Sequence, residues 1–175
     1  DKIAWYENID GTGGFGTQQV IAAVADGAWS VFAADADGDG DLDVLSASEA
    51  DDKIAWYENT DGAGSFGSQQ VISTAAGGAH AVFPADVDAD GDLDVLSASQ
   101  TDDKIAWYEN RTIHRSAAFP TQTTISTTLD SPRSVFAADL DGDGDADVLA
   151  ASYEGDRIAW YENTDGAGSV GSEKV

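Results

Sequence analysis

The chain has 175 residues, 42% of them apolar, enough for one sizeable core or part of a repeat array. A formal net charge of −25 repels nucleic acid and anionic membrane surfaces, so neither is expected as a partner. The absence of cysteine excludes disulfides, thiolate metal sites and redox chemistry, and no apolar run approaches the ~18 residues of a membrane span.

The chain repeats itself. DKIAWYEN stands at Asp1–Asn8, Asp52–Asn59 and Asp103–Asn110, and DRIAWYEN at Asp156–Asn163, with spacings of 51, 51 and 53. The two extra residues fall where RTIHRSAA, 111–118, replaces a shorter turn. The opening at Asp1, in mid-pattern and without Met, predicts a processed product or an excerpt of a longer chain.

Residues 1–26 predict half a unit: a strand at Lys2–Glu7, a tight Asp-Gly turn at Asp10–Gly13 and a strand at Gln18–Ala22. Residues 27–77 predict a full unit of four strands, at Val31–Ala34, Val44–Ala47, Lys53–Glu58 and Gln69–Ser73. Residues 78–128 repeat it at Val82–Ala85, Val95–Ala98, Lys104–Glu109 and Gln122–Ser126. Residues 129–175 give Val135–Ala138, Val148–Ala151, Arg157–Glu162 and a short Glu173–Val175. These runs are rich in Val, Ile, Trp, Tyr and Phe and bounded by Gly and Asp, and no window carries a helical apolar period.

The fold class expected is therefore all-β. Units of about 51 residues suit propeller blades of four antiparallel strands, about three and a half in this chain. Ile-Ala-Trp-Tyr is apolar on both faces, as in sheets stacked between neighbouring sheets. An arc of that length belongs to a larger, seven-bladed propeller or is completed by self-association, because an open arc exposes its terminal sheets.

Between the first and second strand of each full unit lies an aspartate window: Asp35–Asp43, Asp86–Asp94 and Asp139–Asp147. Fifteen of the 33 acidic residues sit there. Carboxylates recur at positions 1, 3, 5 and 9 (Asp35, Asp37, Asp39, Asp43; Asp86, Asp88, Asp90, Asp94; Asp139, Asp141, Asp143, Asp147), with Gly40, Gly91 and Gly144 at position 6. Calcium takes 6–8 hard oxygen ligands on a flexible frame, and alternating side chains let one loop curl around one ion. Asp41, Asp92 and Asp145 at position 7 are expected to offer their backbone carbonyls, with side chains outward. Bare loops of this kind would repel themselves strongly. About three Ca²⁺ per chain are expected, one per loop, with magnesium the weaker competitor. An EF-hand is disfavoured: position 12 is Ser46, Ser97 or Ala150, and a strand follows.

These windows, within VFAADxDGDGDxDVL, resemble the FG-GAP/VCBS repeat family, whose best-known members form the integrin α propeller. Phe15-Gly16 and Phe66-Gly67 match the FG signature, which becomes Phe119-Pro120 and Val170-Gly171 later. The resemblance covers essentially the whole chain. It implies calcium ligation by the same fifteen aspartates and an extracellular or cell-surface location. It also implies a non-enzymatic role in adhesion or in binding a protein or carbohydrate ligand. A self-assembling ring or fibre, and a non-catalytic region of a larger secreted enzyme, are the alternatives.

Other candidates are weaker. Trp5, Trp56, Trp107 and Trp160 recur in every unit and read as core rather than as sugar platforms. Trp29, His80 and Arg133 share one column but differ in type, which suits unit-specific ligand contact. Glu7, Glu58, Glu109 and Glu162 repeat with the strand and read as structural, not as a catalytic acid pair. His80 and His114 assemble no catalytic or zinc pattern, and GTGGFG, 11–16, reads as a turn rather than a phosphate loop. Asn110-Arg111-Thr112 is a glycosylation sequon.

Overall fold

The computed structural model describes residues 1–111 and 117–175; His114 and Thr112 of the sequon lie outside them. The strands are β1 (Ile3–Trp5), β2 (Gln19–Ala22), β3 (Ala28–Ala34), β4 (Asp43–Ser48), β5 (Lys53–Tyr57) and β6 (Gln70–Ser73). There follow β7 (Ala79–Ala85), β8 (Asp94–Ser99), β9 (Lys104–Tyr108), β10 (Gln122–Ser126), β11 (Pro132–Ala138), β12 (Asp147–Ser152) and β13 (Arg157–Tyr161). The fold is all-β. No helix able to cross a membrane occurs among the described residues.

Four antiparallel sheets follow one another: β1-β2, β3-β4-β5-β6, β7-β8-β9-β10 and β11-β12-β13. Each meanders in chain order, consecutive strands pairing antiparallel without a crossover. The sheets stack as propeller blades. Leu45, Ile54 and Trp56 of the second sheet meet Val95, Ala106 and Tyr108 of the third. Leu96, Ile105 and Trp107 of the third meet Val148, Ala159 and Tyr161 of the fourth. Strands apolar on both faces are what this stacking requires, and they hold the core between sheets rather than within one.

Strand β7 packs beside β3 and β11, so the first strand of each full blade lies innermost. Phe32, Phe83 and Phe136 form a ladder along these inner strands, with ring centroids 5.3 and 4.5 Å apart. The blades are also pinned by hydrogen bonds. Asp1, Asp52 and Asp103 accept from the backbone N–H of Gly27, Gly78 and Ser131 at 2.8–2.9 Å.

Two departures from expectation have local causes. The inner strands begin three residues earlier than the sequence predicts, at Ala28, Ala79 and Pro132. Each holds a β-bulge, between Ala28 and Ser30, Ala79 and Ala81, and Pro132 and Ser134, which breaks the alternation that marks a strand. The last strand, expected at Glu173–Val175, is reduced to one bridge between Trp160 and Lys174. The connections at Pro120 and Val170 keep the common hairpin base: Arg111 N donates to Ala118 O, and Val170 bridges Asn163.

Candidate metal centres and a ligand face

Each aspartate loop joins the two innermost strands of a blade, and strand pairing fixes its ends. Asx-type bonds curl it: Gly40 N donates to Asp35 Oδ2 at 3.0 Å, Gly91 N to Asp86 Oδ2 at 3.1 Å and Gly144 N to Asp139 Oδ2 at 3.1 Å. Gly40, Gly91 and Gly144 carry φ of 98°, 97° and 100°, a region that glycine adopts without a Cβ clash. Turned this way, the carboxylates converge. Ligand oxygens of Asp35, Asp37 and Asp39 lie within 4.8 Å of one another, as do those of Asp86, Asp88 and Asp90, and of Asp139, Asp141 and Asp147.

The electrostatics fit a cation. Asp37 is pushed up to about 6 by burial and by the neighbouring charges of Asp43 and Asp39. Burial and Asp90 raise Asp88 in the same way. A purely carboxylate, hard-oxygen donor set suits calcium better than a transition metal.

Position 9 has a second role that its spacing does not reveal. Asp43 accepts from Ala36 N at 3.2 Å and from Asn59 N at 2.8 Å. Asp94 accepts from Val87 N at 3.0 Å and Asn110 N at 2.7 Å, and Asp147 from Leu140 N at 3.0 Å and Asn163 N at 2.9 Å. These carboxylates tie the start of the loop to the end of the third strand. Each oxygen keeps a further lone pair, so bracing and ligation are compatible. Burial raises Asp94 to about 7 despite its N–H donors. At position 7, Asp41 and Asp145 lie against the hairpin turns at Gly62 and Gly166, away from the clusters. Asp143 stands outside the convergent group of its loop, and Asp92 outside that of the second.

Trp29, His80 and Arg133 lie at the opposite end of the inner strands, about 20 Å from the aspartate loops at ~3.3 Å per residue. All three are the extra residue of a bulge, which re-aims the side chain. They meet across blades. The Trp29 ring, 62% exposed, stands edge-on to buried His80 with centroids 4.4 Å apart. Burial, with Arg133 nearby, lowers the His80 pKa. Arg133 Nε donates to Gln100 Oε1 at 3.0 Å, and Gln100 Nε2 to Glu49 Oε1 at 2.6 Å. The Arg133 guanidinium also lies 3.9 Å over the Tyr153 ring. A polar cleft of about 400 Å³ lies beside Arg133, with Gln100, Thr101, Asp130 and Glu154 in its lining. Sequence reasoning missed Glu49, Gln100 and Tyr153, although they also differ within an otherwise repeated column.

The remaining candidates resolve simply. Trp56 and Trp107 are buried between blades, and Trp5 and Trp107 pack on the turn glycines Gly64 and Gly168. Glu109 pairs with Arg111 at 2.8 Å and Glu162 with Lys174, each within its own blade. The sequon's asparagine, Asn110, is drawn into the fold. Asn110 is fully buried, and its Nδ2 donates to Ala36 O at 2.8 Å and Leu93 O at 3.0 Å, so the atom a sugar would join is enclosed.

None of the curated proteins matches this sequence. A solved structure of an Agrocybe aegerita lectin, described as recognising non-reducing terminal N-acetylglucosamine, superimposes with a TM-score of 0.65 at 22% identity. The match covers 99% of this chain and 46% of that one, so this chain spans about half the lectin's length, and the likeness is one of fold. The profile of the FG-GAP-like repeat matches residues 1–46, 37–97 and 86–150, and that of the FG-GAP repeat matches residues 131–171. With the aspartate loops recurring in register on stacked four-stranded blades, the chain belongs to the FG-GAP repeat family.

Proposed function

We propose that this chain is a calcium-rigidified, extracellular propeller module that binds carbohydrate at the end of the blades opposite its metal loops. The observation that carries the reading is the convergence of three carboxylates in each of three equivalent loops, beside inner strands whose far ends gather Trp29, His80 and Arg133. Calcium would be held by Asp35, Asp37 and Asp39 in the first loop, by Asp86, Asp88 and Asp90 in the second, and by Asp139, Asp141 and Asp147 in the third. Bound ions neutralise repulsion in the loops and set the orientation of the inner strands. The far face then offers an exposed indole for stacking on a sugar ring and a cleft of amide, hydroxyl, carboxylate and guanidinium groups for its hydroxyls. A lectin of like fold that recognises N-acetylglucosamine supports that ligand class.

A glycan panel tests it. Binding is expected in calcium buffer, to fall at least about tenfold in Trp29→Ala and Arg133→Ala, and to disappear with chelator. Binding that survives both substitutions would move the ligand site elsewhere, and no binding to any glycan would remove the carbohydrate reading.

A further inference from the structure

We propose that Asn110 and Asn163 couple the aspartate loops of successive blades, so that calcium held in one loop raises the affinity of the next. The inference rests on the reading of these loops as calcium sites.

Each asparagine follows the third strand of its blade and serves two loops at once. The backbone N–H of Asn110 donates to Asp94 Oδ1 at 2.7 Å and its Nδ2 to Leu93 O at 3.0 Å, bracing the end of the second loop. The same Nδ2 donates to Ala36 O at 2.8 Å, in the first loop. Asn163 repeats the arrangement one blade on. Its N–H donates to Asp147 Oδ1 at 2.9 Å and its Nδ2 to Ala146 O at 3.4 Å in the third loop, and Nδ2 also donates to Val87 O at 2.8 Å in the second. Both asparagines are fully buried, which shields these bonds from solvent.

The far end of each bridge lands where ligand geometry is set. Ala36 stands between Asp35 and Asp37, and Val87 between Asp86 and Asp88, all four of them members of the convergent carboxylate groups. The backbone at Ala36 and Val87 is held from both sides. Ala36 N donates to Asp43 Oδ2 at 3.2 Å and Val87 N to Asp94 Oδ2 at 3.0 Å, while the asparagine of the next blade holds each carbonyl. Asp94 closes the path between loops: one oxygen fixes Val87 in the second loop, and the other takes the N–H of Asn110, which reaches into the first. An ion that orders one loop fixes the shared asparagine. The neighbouring loop then has less conformational freedom to lose when its own ion binds. By linkage the effect is reciprocal.

Calorimetric calcium titration of the full chain, read as ion count, affinity and steepness, tests the proposal. Asp141→Ala removes the third loop's ion and leaves the pair of loops joined by Asn110. In that background the two remaining ions are expected to bind more steeply than independent sites do. Adding Asp37→Ala should lower the affinity of the second loop at least about fivefold. Adding Asn110→Ala instead should leave two ions that bind independently, whereas an asparagine with a merely structural role would lower both affinities and leave the steepness unchanged. Second-loop affinity indifferent to Asp37→Ala, or steep binding that survives Asn110→Ala, overturns the proposal. If melting curves show Asn110→Ala unfolded, the Asp37→Ala comparison decides alone, since it keeps Asn110 in place. Three ions binding independently to the wild-type chain overturn the coupling and leave the calcium reading standing; no bound ion overturns both.

Discussion

At the scale of single residues, the buried carboxylates decide how the protein responds to pH. Asp37 and Asp94 are raised to about 6 and about 7, chiefly by burial, against 3.8 for an ordinary aspartate. A group raised on folding binds protons more tightly in the folded state. Its stabilisation is present below the ordinary value and is lost as pH rises through the raised one. The metal-free chain should therefore melt at a lower temperature at pH 8 than at pH 5, and calcium should abolish most of that difference. A metal-free chain that melts higher at pH 8 would contradict this. Spacing made the aspartates legible as oxygen donors. It did not distinguish the carboxylates that converge from those that brace, because that depends on Asn59, Asn110 and Asn163, which lie 16 residues further along.

At the scale of elements, the blade is held by close approaches that leave no room for a side chain. Gly64 has φ of 93°, and a Cβ there would clash with the Trp5 indole of the neighbouring sheet. Gly64→Ala is expected to cost about 1–3 kcal/mol, from the left-handed backbone and the displaced indole together. Denaturant unfolding measures it, and Gly38→Ala, with φ of 73° and open space around its Cβ, isolates the backbone share. Hairpins and loops were legible here because their signals are local: Asp-Gly turns, alternating carboxylates and β-branched runs. The bulges were not. They place Trp29, His80 and Arg133 inside the inner strands, whereas the broken alternation makes those positions read as loop.

At the scale of the whole molecule, stability and metal binding are linked, because an unfolded chain holds no preformed site. Titrating the stripped protein with Ca²⁺ should bind about three ions and raise the melting temperature by several degrees or more. Asp88→Ala should remove about one ion while leaving two. Three unchanged ions in that variant, or a melting temperature indifferent to chelation, would refute calcium in these loops. Repetition made the architecture legible, since a strand seen four times and an aspartate loop seen three times report the period and the double-sided apolar faces with little ambiguity.

By itself the sequence determined the all-β class, the recurrence of one pattern along the chain and the residue types in each acidic loop, all consequences of local spacing and side-chain chemistry. The tertiary structure decided which carboxylates meet, that Asn110 is enclosed, and that Trp29, His80 and Arg133 stand together. Those outcomes rest on contacts between blades, such as Asn110 with Ala36, 74 residues apart in the chain, and no local pattern encodes a distance of that kind.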